Sequence, residues 1–219
     1  MTQLIAWSYS RLEGYETCPR KYYHLQVAKD VTDTKGDAAI YGDETHKAFK
    51  MYVKTGQELP LHLLQYKQYL DQFIAAPGHK IAEQQVAINA DFKQVEWFDK
   101  TTYLRVINDL LVHQGSNAVI VDYKTGKPKD DFTQLELAAA VVFLLGPDIN
   151  SITMAYFWLK TKTIVPKIIK RAEAPLVWAK LQPRVQAFQD AYAANAWPPK
   201  PNYLCRKYCP VASCEYHGK

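Results

Sequence analysis

The dipeptide Gly115-Ser116, flanked on both sides by apolar runs, constrains this chain more than any other feature. Glycine at the first central position suits a type II′ turn, so the flanking runs are expected to close as a two-residue hairpin. Residues 101–113 and 117–124 are rich in Val, Ile, Leu and Tyr, as strands are. Pairing across the turn sets Asp109 opposite Asp122. Directly opposed residues hold their Cβ atoms about 5 Å apart. Lys124 lies two residues beyond Asp122 and shares its face. The neighbours are apolar: Val106-Ile107 and Leu110-Leu111 around Asp109, and Val119 to Val121 before Asp122. Two like charges in such a setting repel, and ionising both costs free energy without compensation. A divalent cation compensates, and hard cations such as Mg²⁺ prefer carboxylate oxygens. Such a site activates water and stabilises charge on a phosphate, with Lys124 placed to assist.

Around the hairpin the period of the sequence changes twice. Residues 8–27 read as a helix capped by Ser8 or Ser10, with a break expected near Cys18 because Pro19 follows. Residues 41–53 and 61–75 read as further helices, the second ended by Pro77-Gly78. Residues 80–90 read as a strand, 131–145 as a buried helix, 151–160 and 163–170 as a second hairpin, and 174–194 as a long helix. The order predicts an α/β fold with a mixed central β-sheet flanked by helices. A single domain is expected over 1–219: a helical part (8–78), an α/β core (79–195) and a cysteine-rich tail (196–219) behind a Pro-rich link.

Composition excludes little beyond disorder. Hydrophobic residues are 48% and the net charge is +5, which permits a polyanionic partner without requiring one. The longest apolar run, Leu137 to Leu145, is nine residues, against about 20 for a membrane span. No secretory pattern opens the chain, so a cytoplasmic protein is expected (host cytoplasm if phage-encoded). Thiols stay reduced there, which points the four cysteines toward metal rather than disulfides.

With these residues in place, the chain resembles the PD-(D/E)XK nucleases, and within them the RecB/AddB-like branch with an iron–sulfur cluster, which includes the CRISPR-associated exonucleases. Ser8 to Leu12 with Tyr15 to Tyr23 is similar to the family's opening helix, and Gly42 to His46 to its G-x-x-x-H segment. Asp109 followed by Asp122-Tyr123-Lys124-Thr125-Gly126 resembles its acidic strand and D-Y-K-T-G. Gln134 resembles the glutamine of Q-x-x-x-Y, and Cys205, Cys209 and Cys214 its C-terminal triplet. Val106 stands where a glycine is frequent, Ala138 replaces the tyrosine, and the triplet is spaced C-x3-C-x4-C rather than C-x2-C-x5-C.

The resemblance implies a restriction-endonuclease-like core. It also implies that Mg²⁺ or Mn²⁺ is held by His46, Asp109, Asp122 and the Tyr123 carbonyl. Lys124 would be the catalytic lysine, with Gln134 beside it orienting Lys124 or a phosphate. Glu83 corresponds loosely to an acid on the preceding strand. Cys18, Cys205, Cys209 and Cys214 would form a four-thiolate site joining the two chain ends. Such a site accepts a [4Fe–4S] cluster, which the resemblance favours, or zinc, with disulfides a third outcome. His217 is an alternative ligand there. Seven basic residues lie between Lys160 and Arg184 against one acid, Glu173. Among them Lys160 and Lys162, with Arg20 and Lys21 elsewhere, are candidate phosphate contacts. Tyr156, Phe157, Trp158 and Trp178 are expected either to stack on bases or to fill the core.

The function expected is a metal-dependent deoxyribonuclease, an exonuclease of recombination, repair or phage DNA metabolism. Any helicase or recombination partner would be a separate chain. The alternative is a catalytically inactive nuclease-like module that binds DNA or protein.

Overall fold

The computed structural model describes residues 4–34 and 36–219. In chain order its helices are α1 (Tyr9–Thr17), α2 (Pro19–Tyr22), α3 (Asp37–Thr55), α4 (Lys67–Ala75), α5 (Thr133–Leu145) and α6 (Ala174–Ala194). Its strands are β1 (His79–Asn89), β2 (Gln94–Val95), β3 (Thr102–Gln114), β4 (Asn117–Lys124), β5 (Ser151–Trp158) and β6 (Thr163–Lys170). The described residues group into two units, one from within 1–35 together with 180–219, the other 36–179.

In the 36–179 unit the six strands run in the order β2-β1-β3-β4-β5-β6. Every pairing is antiparallel except β4 with β5, which α5 connects as a crossover. The sheet is therefore mixed, as the alternation of apolar segments implies. Gly115 adopts φ 61 while Ser116 keeps a negative φ, the pattern of a type II′ turn, and Leu110 pairs with Val121 in the expected register.

Strand alternation divides β4 between two layers. Val121 and Tyr123 pack under α3 and α4 with Phe49, Tyr52, Leu63, Leu70, Leu110 and Phe157. Ile120, Asp122 and Lys124 face the opposite way, toward α5, whose Leu135 to Phe143 stretch is buried apart from Glu136. Arg171 pins the far end of α5. Its guanidinium donates to the carbonyl oxygens of Phe143, Gly146 and Ile149, which the helix end leaves without intrahelical partners.

The other unit is helical. The expected break near Cys18 is present: Cys18 is extended (φ −162, ψ 108), and Pro19 opens α2 at the position where its missing N–H costs nothing. A π-helical turn, Tyr23–Ala28, continues α2 until Lys29 turns left-handed. Tyr15, Tyr22, Phe188, Tyr192 and Trp197 meet edge to face or stacked, and Arg184 clasps Glu16 through two bonds of 2.7 and 2.6 Å. Beyond α6, regular structure is limited to a 3-10 turn, Tyr203–Arg206, capped by Asn202.

Besides shifts of one or two residues at element ends, three features differ from expectation. α3 begins at Asp37, one turn before the expected start at Tyr41. The third helix opens as a 3-10 stretch, Leu61–Tyr66, before becoming α4. β2 is two residues long, too short to leave a pattern.

Candidate metal centre and catalytic lysine

Three adjacent strands each place one acid in a single row. The pairs Ala82↔Leu110 and Gln84↔Asn108 put Glu83 opposite Asp109, and Leu110↔Val121 puts Asp109 opposite Asp122. Glu83 adopts φ 52, a left-handed conformation that costs a non-glycine residue about 1 to 2 kcal/mol. The twist turns its carboxylate out of the regular alternation of β1. His46 approaches from α3, its Nδ1 3.2 Å from Asp109 Oδ1. The ligand atoms of His46, Glu83 and Asp109 lie within 4.8 Å of one another, and all three residues are half-buried.

The remaining contacts orient the acids. The Tyr123 amide donates to Asp109 Oδ2 at 2.8 Å, which fixes the carboxylate against β4. Gln134, on α5, donates from Nε2 to Asp122 Oδ1 (2.9 Å) and accepts at Oε1 from Lys124 Nζ (2.8 Å). Lys124 Nζ is 2.8 Å from Asp122 Oδ2, yet that oxygen has no well-aligned hydrogen bond and is buried. The lysine thus supplies charge to Oδ2 while leaving lone-pair capacity open. Lys50, one turn after His46, stands 4.0 Å from Glu83. Gly42 places α3 beside the strand end: a Cβ there would sit 3.5 Å from the Thr125 hydroxyl, in ordinary contact.

Burial and mutual repulsion govern the charges. Desolvation, then the Asp109 charge, pushes the Asp122 carboxyl up to about 6, against the opposing pull of Lys124. Glu83 is raised by burial and by Asp109. For His46, burial favours the neutral ring. The hydrogen bond that the protonated ring donates to Asp109 and the charges of Asp109, Asp122 and Glu83 outweigh it, so its pKa is raised. A cluster of acids that hold protons above their usual range is one whose negative charge lacks compensation. Two carboxylates, an imidazole and the open Asp122 oxygen fit a divalent cation; oxygen ligands suit Mg²⁺, and the imidazole broadens the fit to Mn²⁺.

A match to the family described as the PD-(D/E)XK nuclease superfamily covers residues 6–214. The chain belongs to the PD-(D/E)XK nuclease superfamily. No curated protein matches it at the level searched. Among solved structures it is similar to SSO0001, at 14% identity and TM-score 0.47, over 96% of this chain and 85% of that one. It is also similar to a Eubacterium rectale protein provisionally named an exonuclease. There the identity is 14% and the TM-score 0.49, over 93% of this chain and 86% of that one.

Within this PD-(D/E)XK fold the other sequence candidates separate into groups. Lys160 and Lys162 are exposed in the β5–β6 turn, and the Leu159 amide donates to the Lys124 carbonyl at 2.9 Å, holding that turn beside the lysine. Lys167 is paired with Glu136 and Arg184 with Glu16, while Arg171 serves α5. Arg20 pairs with Glu215 at 2.7 Å and Lys21 with Asp33 at 3.2 Å. Tyr156, Phe157 and Trp158 are 3%, 0% and 4% exposed, so of the two expectations for these rings the core is the outcome. Trp178 is half-buried against Phe92. Tyr123 buries its ring beside Phe49 and Phe157.

All four cysteines are free, so the disulfide outcome is not seen. Cys18, Cys205, Cys209 and Cys214 line one cleft with His217. The amides of Lys200 and Asn202 point at Cys18 Sγ (3.5 Å) and Cys205 Sγ (3.4 Å). Among the described residues no three cysteine sulfurs come within 4.8 Å of one another, so they do not form a tight metal-ligating group. No helix among the described residues is long and apolar enough to cross a membrane.

Glu83 is the residue that sequence reasoning left at the margin. Its signal was faint, an acid within a strand-like run. Only the β1–β3 register and the backbone twist bring it beside His46 and Asp109.

Proposed function

We propose that this chain is a divalent-metal-dependent deoxyribonuclease that hydrolyses phosphodiester bonds as an exonuclease, in recombination, repair or phage DNA metabolism. The observation that carries the reading is the row Glu83–Asp109–Asp122 beside His46, with Lys124 ion-paired to Asp122 and hydrogen-bonded to Gln134. His46, Asp109 and Asp122 would hold the cation, with Glu83 and the Tyr123 carbonyl completing its shell. The cation, when bound, supplies Lewis acidity toward the phosphate and lowers the pKa of water. Lys124 keeps its ammonium at the strand end, where it can donate to a phosphate oxygen or orient the attacking water. Gln134 fixes the direction of that ammonium by accepting one of its protons. Lys160 and Lys162, beside Lys124, would take flanking phosphates. Any translocating partner would be a separate chain.

We read the four cysteines as a structural [4Fe–4S] site. Support comes from four free thiols on one cleft and two backbone amides directed at sulfur, a common tuning contact for such clusters. Zinc would draw tetrahedral sulfurs to roughly 3.8 Å of one another, from Zn–S bonds near 2.3 Å, tighter than the spacing here.

The deciding assay incubates linear and circular, single- and double-stranded DNA with Mg²⁺ or Mn²⁺ and compares Lys124→Ala. Cation-dependent loss of linear DNA, absent in the variant, is expected; equal degradation by the variant refutes the assignment. Binding without cleavage would instead support the inactive-module alternative. Anaerobically purified protein should be brown with about four irons per chain; colourless protein carrying zinc would refute the cluster.

A further inference from the structure

The break at Cys18 folds α2 and the π turn back beside α1 and opens a cleft between them of about 440 Å³. This is within the range of small-molecule sites, roughly 300 to 1,000 Å³. One wall is a single face of α1: Ser8, Arg11, Gly14 and Thr17 recur every three residues. The other wall is Lys21, Tyr22, Leu25 and Gln26. Gly14 lies against the Tyr22 ring, where a Cβ would stand 3.6 Å from it, in ordinary contact.

The lining is chemically divided. Two cations, Arg11 and Lys21, and the hydroxyls of Ser8, Ser10 and Thr17 form a polar edge, while Tyr22 and Leu25 form an apolar one. Arg11 commits one Nη1 donor, to the Ala6 carbonyl at 2.9 Å; its other donors have no partner among the described residues. Lys21 Nζ is 3.2 Å from Asp33 and donates to the Tyr208 carbonyl at 3.4 Å; an entering anion would replace the Asp33 carboxylate. No acid lines the cleft. Guanidinium and ammonium groups beside hydroxyls bind phosphate, and a flat apolar wall accepts a base or sugar.

We propose that this cleft is a nucleotide-binding site, with a phosphate held by Arg11 and Lys21 and the nucleoside laid against Tyr22 and Leu25. The nuclease reading guides only the choice of a deoxynucleotide as probe.

The test is calorimetric titration of the full chain, without added divalent cation, using thymidine 5′-monophosphate, thymidine and inorganic phosphate. One monophosphate should bind per chain, thymidine at least about tenfold more weakly, and inorganic phosphate should compete. Arg11→Gln and Lys21→Gln should each weaken binding about tenfold or more, while Lys21→Arg retains it and Lys124→Ala leaves it unchanged. Circular dichroism shows whether each variant folds; should Arg11→Gln not, the Lys21 pair decides. Thymidine binding as tightly as its monophosphate, binding that survives both glutamine variants, binding lost with Lys124→Ala, or none at millimolar concentration overturns the proposal. Monophosphate binding by a chain that cleaves no DNA keeps this inference and removes the nuclease reading. Cleavage with no monophosphate binding does the reverse.

Discussion

The sheet unit and the cysteine tail reach order by opposite means. In the sheet unit, Phe49, Leu63, Leu70, Leu110, Val121 and Phe157 are all fully buried in one cluster. That apolar mass supports the cost of a row of acids at its edge. In residues 196–219 the buried side chains are Cys205 and Val211, and regular structure is one 3-10 turn. Burial at about 25 cal/mol per Å² gives such a tail little to set against its chain entropy. A site can be strained where the surrounding core is large, whereas a segment with so few buried side chains has little apolar burial to hold it.

The largest expected effect tests the strained end of that comparison. Lys124→Ala should lower DNA cleavage by about 10²- to 10⁴-fold, the usual contribution of a positioned acid–base group, with folding unchanged by circular dichroism. Core loss comes next. Phe157→Ala should cost about 3 to 5 kcal/mol in denaturant unfolding. Tyr208→Ala, at an exposed ring of the tail, should stay within about 0.5 kcal/mol. Equal costs at the two sites would erase the contrast. Arg171→Ala should cost about 2 to 4 kcal/mol, since it removes the guanidinium donors from the carbonyls of Phe143, Gly146 and Ile149, of which Gly146 keeps the Ile149 amide.

Asp122 offers a prediction of opposite sign. Its folded-state pKa is pushed up to about 6 from 3.8, so the folded chain binds the proton more tightly than the unfolded one. Its charge therefore costs stability above pH about 6, and the cost fades as the pH falls toward 4. Asp122→Asn should stabilise cation-free protein at pH 8 by up to about 3 kcal/mol in denaturant unfolding, with no gain near pH 4. A destabilised variant at pH 8 would mean the lysine pair outweighs burial. The smallest effect is at the rim: Lys160→Gln with Lys162→Gln should reduce the slope of log affinity for DNA against log salt by about 2.

Much of the fold was legible because period and turn chemistry are local. The boundaries of β4, β6 and α6 follow the apolar pattern, and Gly115 announced the turn that aligns Asp109 with Asp122. Boundaries slipped at the first turn of α3 and at the two-residue β2. Basic residues misled too. Arg171 and Arg184 count toward the basic excess of residues 160–184, but carbonyls at the end of α5 and Glu16 engage them.

By itself the sequence determined the hairpin, the opposed acids and the lysine two residues on. A β-strand has a period of two, and a tight turn leaves one register. Only the tertiary structure decided that Glu83 joins them, that Gln134 bridges Asp122 and Lys124, and that four distant cysteines share a cleft. Those meetings depend on a pairing across a twelve-residue connection, a crossover helix and the return of the chain's end. Proximity of that kind comes from packing, and no local pattern encodes it.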